Sequence, residues 1–185
     1  MNKRTDRRQV VIDRMADHLL SEGLAGATLR PLAAAAGTSD RMLLYYFADK
    51  DELLSALLDR ISERLLHELD RAISIDPKRP FAVLLDQVWA ILSSERHKPF
   101  MNIWLELAAA GARGLQPHRK VSGAIVDGYL AWVAERLEPQ AEGGAPSSAP
   151  HFLAAIQGMY LLNGIGRSNI ANAAMTELLE GSNRT

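Results

Sequence analysis

The sequence predicts an all-α protein of about nine helices: a small N-terminal three-helix unit containing a helix-turn-helix, joined through a long helix to a C-terminal helical bundle. Three observations lead to this. Apolar residues recur at helical spacing along almost the whole chain. Gly and Pro stand at the intervals where helices end or start. No run of alternating β-branched residues competes with the helical pattern.

The elements follow in order. Val11, Met15 and Leu19 recur every four residues with Leu20 beside them, and Gly23 ends this first helix. A second is predicted over 29–36, with Thr28 as its N-cap and Pro31 in its first turn, where a missing amide costs little. Gly37 closes it, and a short third helix covers about 40–46. The fourth starts after Asp49, with Glu52 placed to complete an Asp variant of the capping box. It carries Leu54, Leu57, Leu58, Ile61, Leu65, Leu69 and Ile73 on one face. Pro80, Pro99 and Pro117 each mark a new start, giving helices near 80–95, 99–112 and 117–138. The Pro-, Gly- and Ser-rich stretch about 139–149 is the one linker-like segment, expected to be flexible. Helices over 151–165 and 168–179 complete the chain.

Composition narrows the function. The 185 residues, 48% of them hydrophobic, suffice for a sizeable core. Basic residues number 21 and acidic 22, so no global field marks a nucleic-acid or membrane binder. Charge is nevertheless uneven: residues 1–50 hold eight basic and six acidic side chains. Lys3, Arg4, Arg7 and Arg8 form a basic start, read either as a phosphate-touching arm or as a solvated, frayed terminus. With no Cys, thiol chemistry and zinc-finger ligation are excluded. Neither a secretory signal nor a membrane span is found, so a soluble cytoplasmic protein without membrane association is expected. No His-Glu-x-x-His pattern, Glu-x-x-His pair, P-loop or Gly-x-Ser-x-Gly elbow is present, and Gly164-Ile165-Gly166 reads as a helix end. The chain is therefore not expected to be an enzyme, and it calls for no cofactor or metal.

The informative segment is 28–50. Two short helices joined by a few residues containing a Gly make a helix-turn-helix, and Ala33 is small enough for a close crossing. Leu32, Ala36, Leu43 and Tyr46 fall on the inward faces; Asp40, Arg41, Met42 and Tyr45 are left to project toward a DNA major groove.

These residues carry a more specific likeness. Residues 10–58 resemble the DNA-binding region of the TetR family of bacterial transcriptional regulators. The matching features are Leu20-Ser21-Glu22-Gly23-Leu24, then Ala27-Thr28-Leu29-Arg30-Pro31-Leu32-Ala33, then Ala36-Gly37-Thr38-Ser39. They finish with Leu43-Leu44-Tyr45-Tyr46-Phe47-Ala48-Asp49-Lys50-Asp51-Glu52-Leu53-Leu54. The resemblance implies a DNA-binding domain over 1–49 and a ligand-binding and dimerisation bundle over 50–185. It implies DNA contacts from Thr28, Arg30, Ser39, Tyr45, Tyr46 and Lys50. Tyr46 is read alternatively as half core, and Thr28 caps its helix in either case.

Three positions depart from the family pattern. Asp40 stands where Lys is frequent, Arg41 where a small Gly is frequent, and Leu44 where Tyr is common. Asp40 accepts from cytosine N4 or steadies the helix N-terminus; Arg41 suits bidentate guanine contact and Met42 a thymine methyl. The operator sequence is thereby put in question more than DNA binding itself.

The resemblance further implies a homodimer on a near-palindromic operator and a small-molecule effector. The dimer surface is expected from helix 117–138, with Ile125, Tyr129 and Trp132 beside Val126, Leu130, Val133 and Leu137, or from helix 151–165. In the latter Phe152, Ile156, Met159 and Tyr160 lie opposite small Ala154 and Gly158. Candidate effector-lining residues are Trp89, Phe100, Met101, Trp104, Met159, Tyr160 and Asn163, each also readable as ordinary core. Asn102, Glu106 and Arg113 share a stripe read as a solvated or intersubunit face, and His97, His118 and His151 read as surface residues. The competing reading is a ligand-binding or protein-interaction module of the same fold that has lost operator affinity.

Overall fold

The computed structural model describes residues 3–139 and 148–182. Within them the chain is helical from end to end: α1 (Lys3–Glu22), a 3-10 turn (Leu24–Gly26), α2 (Leu29–Ala35), α3 (Asp40–Tyr46), α4 (Lys50–Ala72) and α5 (Phe81–Leu92). There follow α6 (Lys98–Ala112), α7 (His118–Arg136), α8 (Ala149–Gly164) and α9 (Ser168–Ser182). The all-α expectation holds, and each helix lies within a few residues of its predicted place. The flexible stretch expected over 139–149 falls mostly outside the described residues. No described helix is long and apolar enough to cross a membrane.

Two compact units are formed, one from Met1–Leu66 with Lys98–Ile125 and the other from His67–His97 with Val126–Thr185. The first has a core that α1, α2, α3, α4, α6 and α7 all feed. Val11, Met15 and Leu19 from α1 meet Leu32 and Ala36, Leu43 and Phe47, Leu53, Leu57 and Leu58, Ile103 and Leu107, and Val121. The four-residue spacing of α1 and the leucine face of α4 are what bury these side chains on one side of each helix. Polar ties reinforce the α1–α4 contact. Arg60 Nε donates to Asp13 Oδ1 at 2.7 Å, Arg64 Nη2 to the same oxygen at 2.7 Å, and Arg64 Nη1 to Asp17 Oδ1 at 2.6 Å.

The second unit packs Leu84, Leu85, Val88, Phe152, Ile156, Met159, Tyr160, Ala171 and Met175 into its interior, with Phe81 edge-on to Phe152. It also buries an arginine, 3% exposed, with its donors satisfied. Arg136 donates to Ile73 O at 3.0 Å, Trp132 O at 3.1 Å and Asp70 Oδ1 at 2.6 Å, and its guanidinium lies 4.1 Å from the Trp132 ring centre. Asp70 also accepts from the Trp132 indole at 2.7 Å.

Helix α5 stops at 92, short of the expected 95, because Ser93 and Ser94 donate back to Trp89 O and Ile91 O at 2.6 and 2.7 Å and end the ladder. The turn that follows corrects the reading of His97 as a surface residue. It is 6% exposed, with Nε2 2.7 Å from Glu68 Oε2 and Nδ1 3.0 Å from Ser94 Oγ. The Arg96 guanidinium, opposed by burial and aided by His97, holds the Glu68 carboxyl below the usual carboxylate range.

Burial pushes the Asp13 carboxyl up, but the hydrogen bonds and charges of Arg60 and Arg64 outweigh it and leave the group below its ordinary 3.8. A carboxylate lowered by folding stabilises the protein above its unfolded pKa, and this contribution is lost as pH falls through the folded value. Asp13→Asn is therefore expected to cost about 1 kcal/mol at pH 7, a low figure for charged hydrogen bonds because solvent screens the site. The deficit should shrink as pH drops below 3.8, read by denaturant unfolding at several pH values. A gap that stays constant with pH would contradict this assignment.

Candidate nucleic-acid interface

Helix α2 ends in a six-to-one closure: Thr38 N donates to Ala33 O at 2.9 Å and Gly37 N to Ala34 O at 3.0 Å. Gly37 has φ +65°, where a side chain is strained, and an added Cβ would sit 3.1 Å from Arg14 Nη1. That guanidinium donates to Ala36 O at 3.3 Å, so α1 holds the turn from behind. Two residues on, Ser39 caps α3: its Oγ accepts from Met42 N at 3.3 Å. Leu43 and Phe47 then anchor the seven-residue helix in the core, at 0% and 1% exposure.

What remains is the outward face. Asp40, Arg41, Met42, Leu44 and Tyr45 are all exposed. Tyr46 is half-buried against the core, its ring edge-on to Tyr45 at 5.7 Å. Arg30 and Ser39 are exposed as well.

Thr28 departs from expectation. It occupies the N-cap position of α2 in extended conformation, but its side chain makes no capping bond. A cap hydroxyl engages the second or third amide of a helix, and Pro31 removes the third, leaving only that of Arg30. Exposed Thr28 lines a cleft of about 100 Å³ with Ala27, Leu29, Leu32, Lys50, Leu53 and Leu54. Thr28 and Lys50, far apart in sequence, thus come to one place.

Lys50 is set there by the start of α4. Glu52 N donates to Asp49 Oδ1 at 2.7 Å, and Ala48 N to Glu52 Oε2 at 2.6 Å, so the predicted box forms with its return bond one residue earlier than usual. Arg8 stacks over Phe47 with its guanidinium carbon 4.6 Å from the ring centre and lies 3.6 Å from Glu52 Oε1. Of the basic start, Arg7 is exposed and Arg8 half-buried, while the side chains of Lys3 and Arg4 lie outside the described residues.

The effector candidates divide between the two units. Phe100 and Trp104 pack against the first core, and Met101 is buried. In the second unit Met159 and Tyr160 are buried while Trp89 and Asn163 are partly exposed. Burial pushes the Tyr160 phenol up, with the Glu95 charge adding to it. Glu106, read from sequence as solvated or intersubunit, instead bonds within the chain to the Leu24 amide at 3.1 Å. Neither Glu106 nor Arg14 was singled out from sequence as part of this surface, because each acts on backbone distant in the chain.

The family model described as bacterial regulatory proteins, tetR family, matches residues 15–57. A curated relative, the HTH-type transcriptional regulator BetI of Paraburkholderia phytofirmans, is 32% identical over 106 residues. That match takes in 57% of this chain and 54% of BetI, so the chain spans about half the length of that relative. Among solved structures, the multidrug binding protein EbrR complexed with proflavin superposes with a TM-score of 0.67 at 23% identity, over 95% of this chain and 99% of the other. A TetR transcription regulator from Haloarcula marismortui gives 0.71 at 18% identity, over 98% of each chain. At these identities the structures show a shared fold.

The turn that aims α3 supplies its own test. Gly37→Ala is expected to cost about 1–2 kcal/mol for forcing a side chain into the left-handed region, read as a lowered midpoint of unfolding. An unchanged midpoint would mean that the turn does not need glycine.

Proposed function

Because the tetR-family model matches residues 15–57 and BetI is 32% identical over 106 residues, we propose that this chain is a ligand-responsive, sequence-specific transcriptional regulator of that family. It acts as a repressor, binding a near-palindromic operator as a dimer and leaving it when a small molecule occupies the C-terminal bundle. The DNA-binding domain is assigned to 1–49, and ligand binding and dimerisation to 50–185. The observation that supports this best is the arrangement at α3: a capped, core-anchored helix with an exposed outer face, next to a cleft that Thr28 and Lys50 share.

Each group has a role suited to its place. The uncapped Thr28 hydroxyl, Lys50, Ser39 and the Tyr45 hydroxyl take phosphates and set register, which carries no sequence information by itself. Lys50 sits where the α4 dipole disfavours a cation, an arrangement that a phosphate partner relieves. Arg41 reads guanine, Met42 contacts a thymine methyl, and Asp40 accepts from cytosine. Arg30 reaches phosphate or base beside α2, and half-buried Tyr46 orients Tyr45.

For the second copy, α8 offers a stripe. Ala154, Gly158, Leu161 and Ile165 follow one another at intervals of four, three and four, all exposed, Leu161 at 51% and Ile165 at 64%. Small residues followed by exposed Leu and Ile suit a helix from a partner. For the effector we assign Trp89, Met159, Tyr160 and Asn163; Phe100, Met101 and Trp104 belong to the first compact unit. One structural relative was solved with proflavin, and a planar aromatic molecule is the first class to try.

The test is selection of duplexes from a random pool, followed by titration at several salt concentrations. Specific binding by two protomers that weakens steeply with salt is expected. Lys50→Ala and Tyr45→Phe should weaken all sequences alike, whereas Arg41→Ala should relax preference at one base pair by about 1–3 kcal/mol. Leu161→Glu should give monomers with lost operator binding. Failure to enrich any sequence would favour the other reading, an interaction module without operator affinity, to which the acidic Asp40 and the apolar Leu44 lend support.

A further inference from the structure

Glu106 lies on the exposed side of α6, yet its carboxylate is engaged within the chain. Oε2 accepts from the Leu24 amide at 3.1 Å, and Oε1 fills the space beside Gly23, where an added Cβ would approach it to 2.9 Å. Gly23 has φ +72°, so a side chain here would be strained by the backbone and would have to displace the Glu106 carboxylate. The other side of the turn rests on α1. A Cβ on Gly26 would come within 2.8 Å of Glu22 Cβ and 3.3 Å of His18 Nε2. The segment is short and internally bonded, with Gly26 N donating to Gly23 O at 3.1 Å and Ala27 N to Leu24 O at 3.0 Å. Thr28 and the start of α2 follow directly.

A three-residue turn held on both sides has little slack to absorb a displacement. We propose that Glu106 is a positioning residue that ties α6 directly to the DNA-contacting segment, so that a shift of α6 is passed to Thr28 and the N-terminus of α2 without passing through α4. The inference rests on the reading of 28–50 as the DNA-contacting surface. It adds a second line of communication to the long helix α4, which joins the two regions along the chain. Coupling between sites is reciprocal, so DNA binding must also steady α6 if α6 steers DNA binding. This allows a test with no effector in hand.

The experiment is amide hydrogen exchange on the full chain, alone and with the duplex that the wild type selects from a random pool. In wild type, duplex binding should slow exchange in 98–112 by about threefold or more. Glu106→Ala should abolish this slowing while residues 39–50 remain protected by DNA. Without DNA, Glu106→Ala should speed exchange in both 23–27 and 98–112, and Glu106→Gln, which keeps an acceptor oxygen, should restore the wild-type pattern. The proposal is overturned if α6 responds to DNA as strongly in Glu106→Ala as in wild type. It is equally overturned if the DNA-free variant loosens 23–27 alone or neither segment. Should no duplex be selected at all, the functional reading fails, and the DNA-free comparison still decides whether Glu106 couples the two segments.

Discussion

A seven-residue helix does not persist in water. Its nucleation cost exceeds what so few internal bonds return, so α3 exists only because its surroundings hold it. Leu43 and Phe47 are buried in the core of the first unit, Ser39 covers an orphan amide, and the closure at Gly37 fixes the direction in which the helix leaves α2. Arg14 adds a bond from α1 to the carbonyl of Ala36. With stability supplied from inside, the outer face of α3 carries Met42, Leu44 and Tyr45 at 39%, 51% and 58% exposure, the face that the proposed function gives to DNA.

Much of this was legible in the sequence, for a definable reason. Helix ends depend on residues three or four apart, so Gly23, Gly37, Ser39 and the Asp49–Glu52 box could be read directly. The inward set Leu32, Ala36 and Leu43 followed from periodicity. For Thr28 the sequence held only part of the signal: a proline at the third helical position removes one of the two amides that a cap hydroxyl can engage. Other features could not be seen locally. The Glu106 bond joins residues 82 apart, that of Arg136 to Asp70 joins residues 66 apart, and His97 reaches Glu68 across 29. Nothing in a helical pattern specifies which distant backbone amide or carboxylate a charged side chain will meet. A charged residue on an outward stripe reads as solvated until the topology brings it a partner, and Glu106 is of this kind.

Charge follows a similar division of labour. Two acidic residues of α1, Asp13 and Asp17, pair with Arg60 and Arg64 of α4. Glu52 is held by the Ala48 amide and lies near Arg8. Arg30, Arg41 and Lys50 stand exposed around the α2–α3 surface, and so do the acidic Asp40, Asp49 and Asp51, so charges of both signs face outward there.

The proposed function also calls for more than one copy. A single α3 presents Arg41 and a few neighbours to base edges, and each good bidentate contact is worth about 1–3 kcal/mol of discrimination. Against a large excess of non-specific sites, that margin is too small for one half-site and adequate for two whose contributions add. Under the proposed function, sequence reading therefore calls for an association surface as well as a reading surface. The exposed Ala154, Gly158 and Leu161 of α8, with Ile165 just past its end, are the surface proposed for that role. In the proposed dimer, a small change in the aim of each α3 becomes a mismatch in spacing between two half-sites. A ligand would then need only to favour the mismatched arrangement over the matched one by a few kcal/mol to release the DNA.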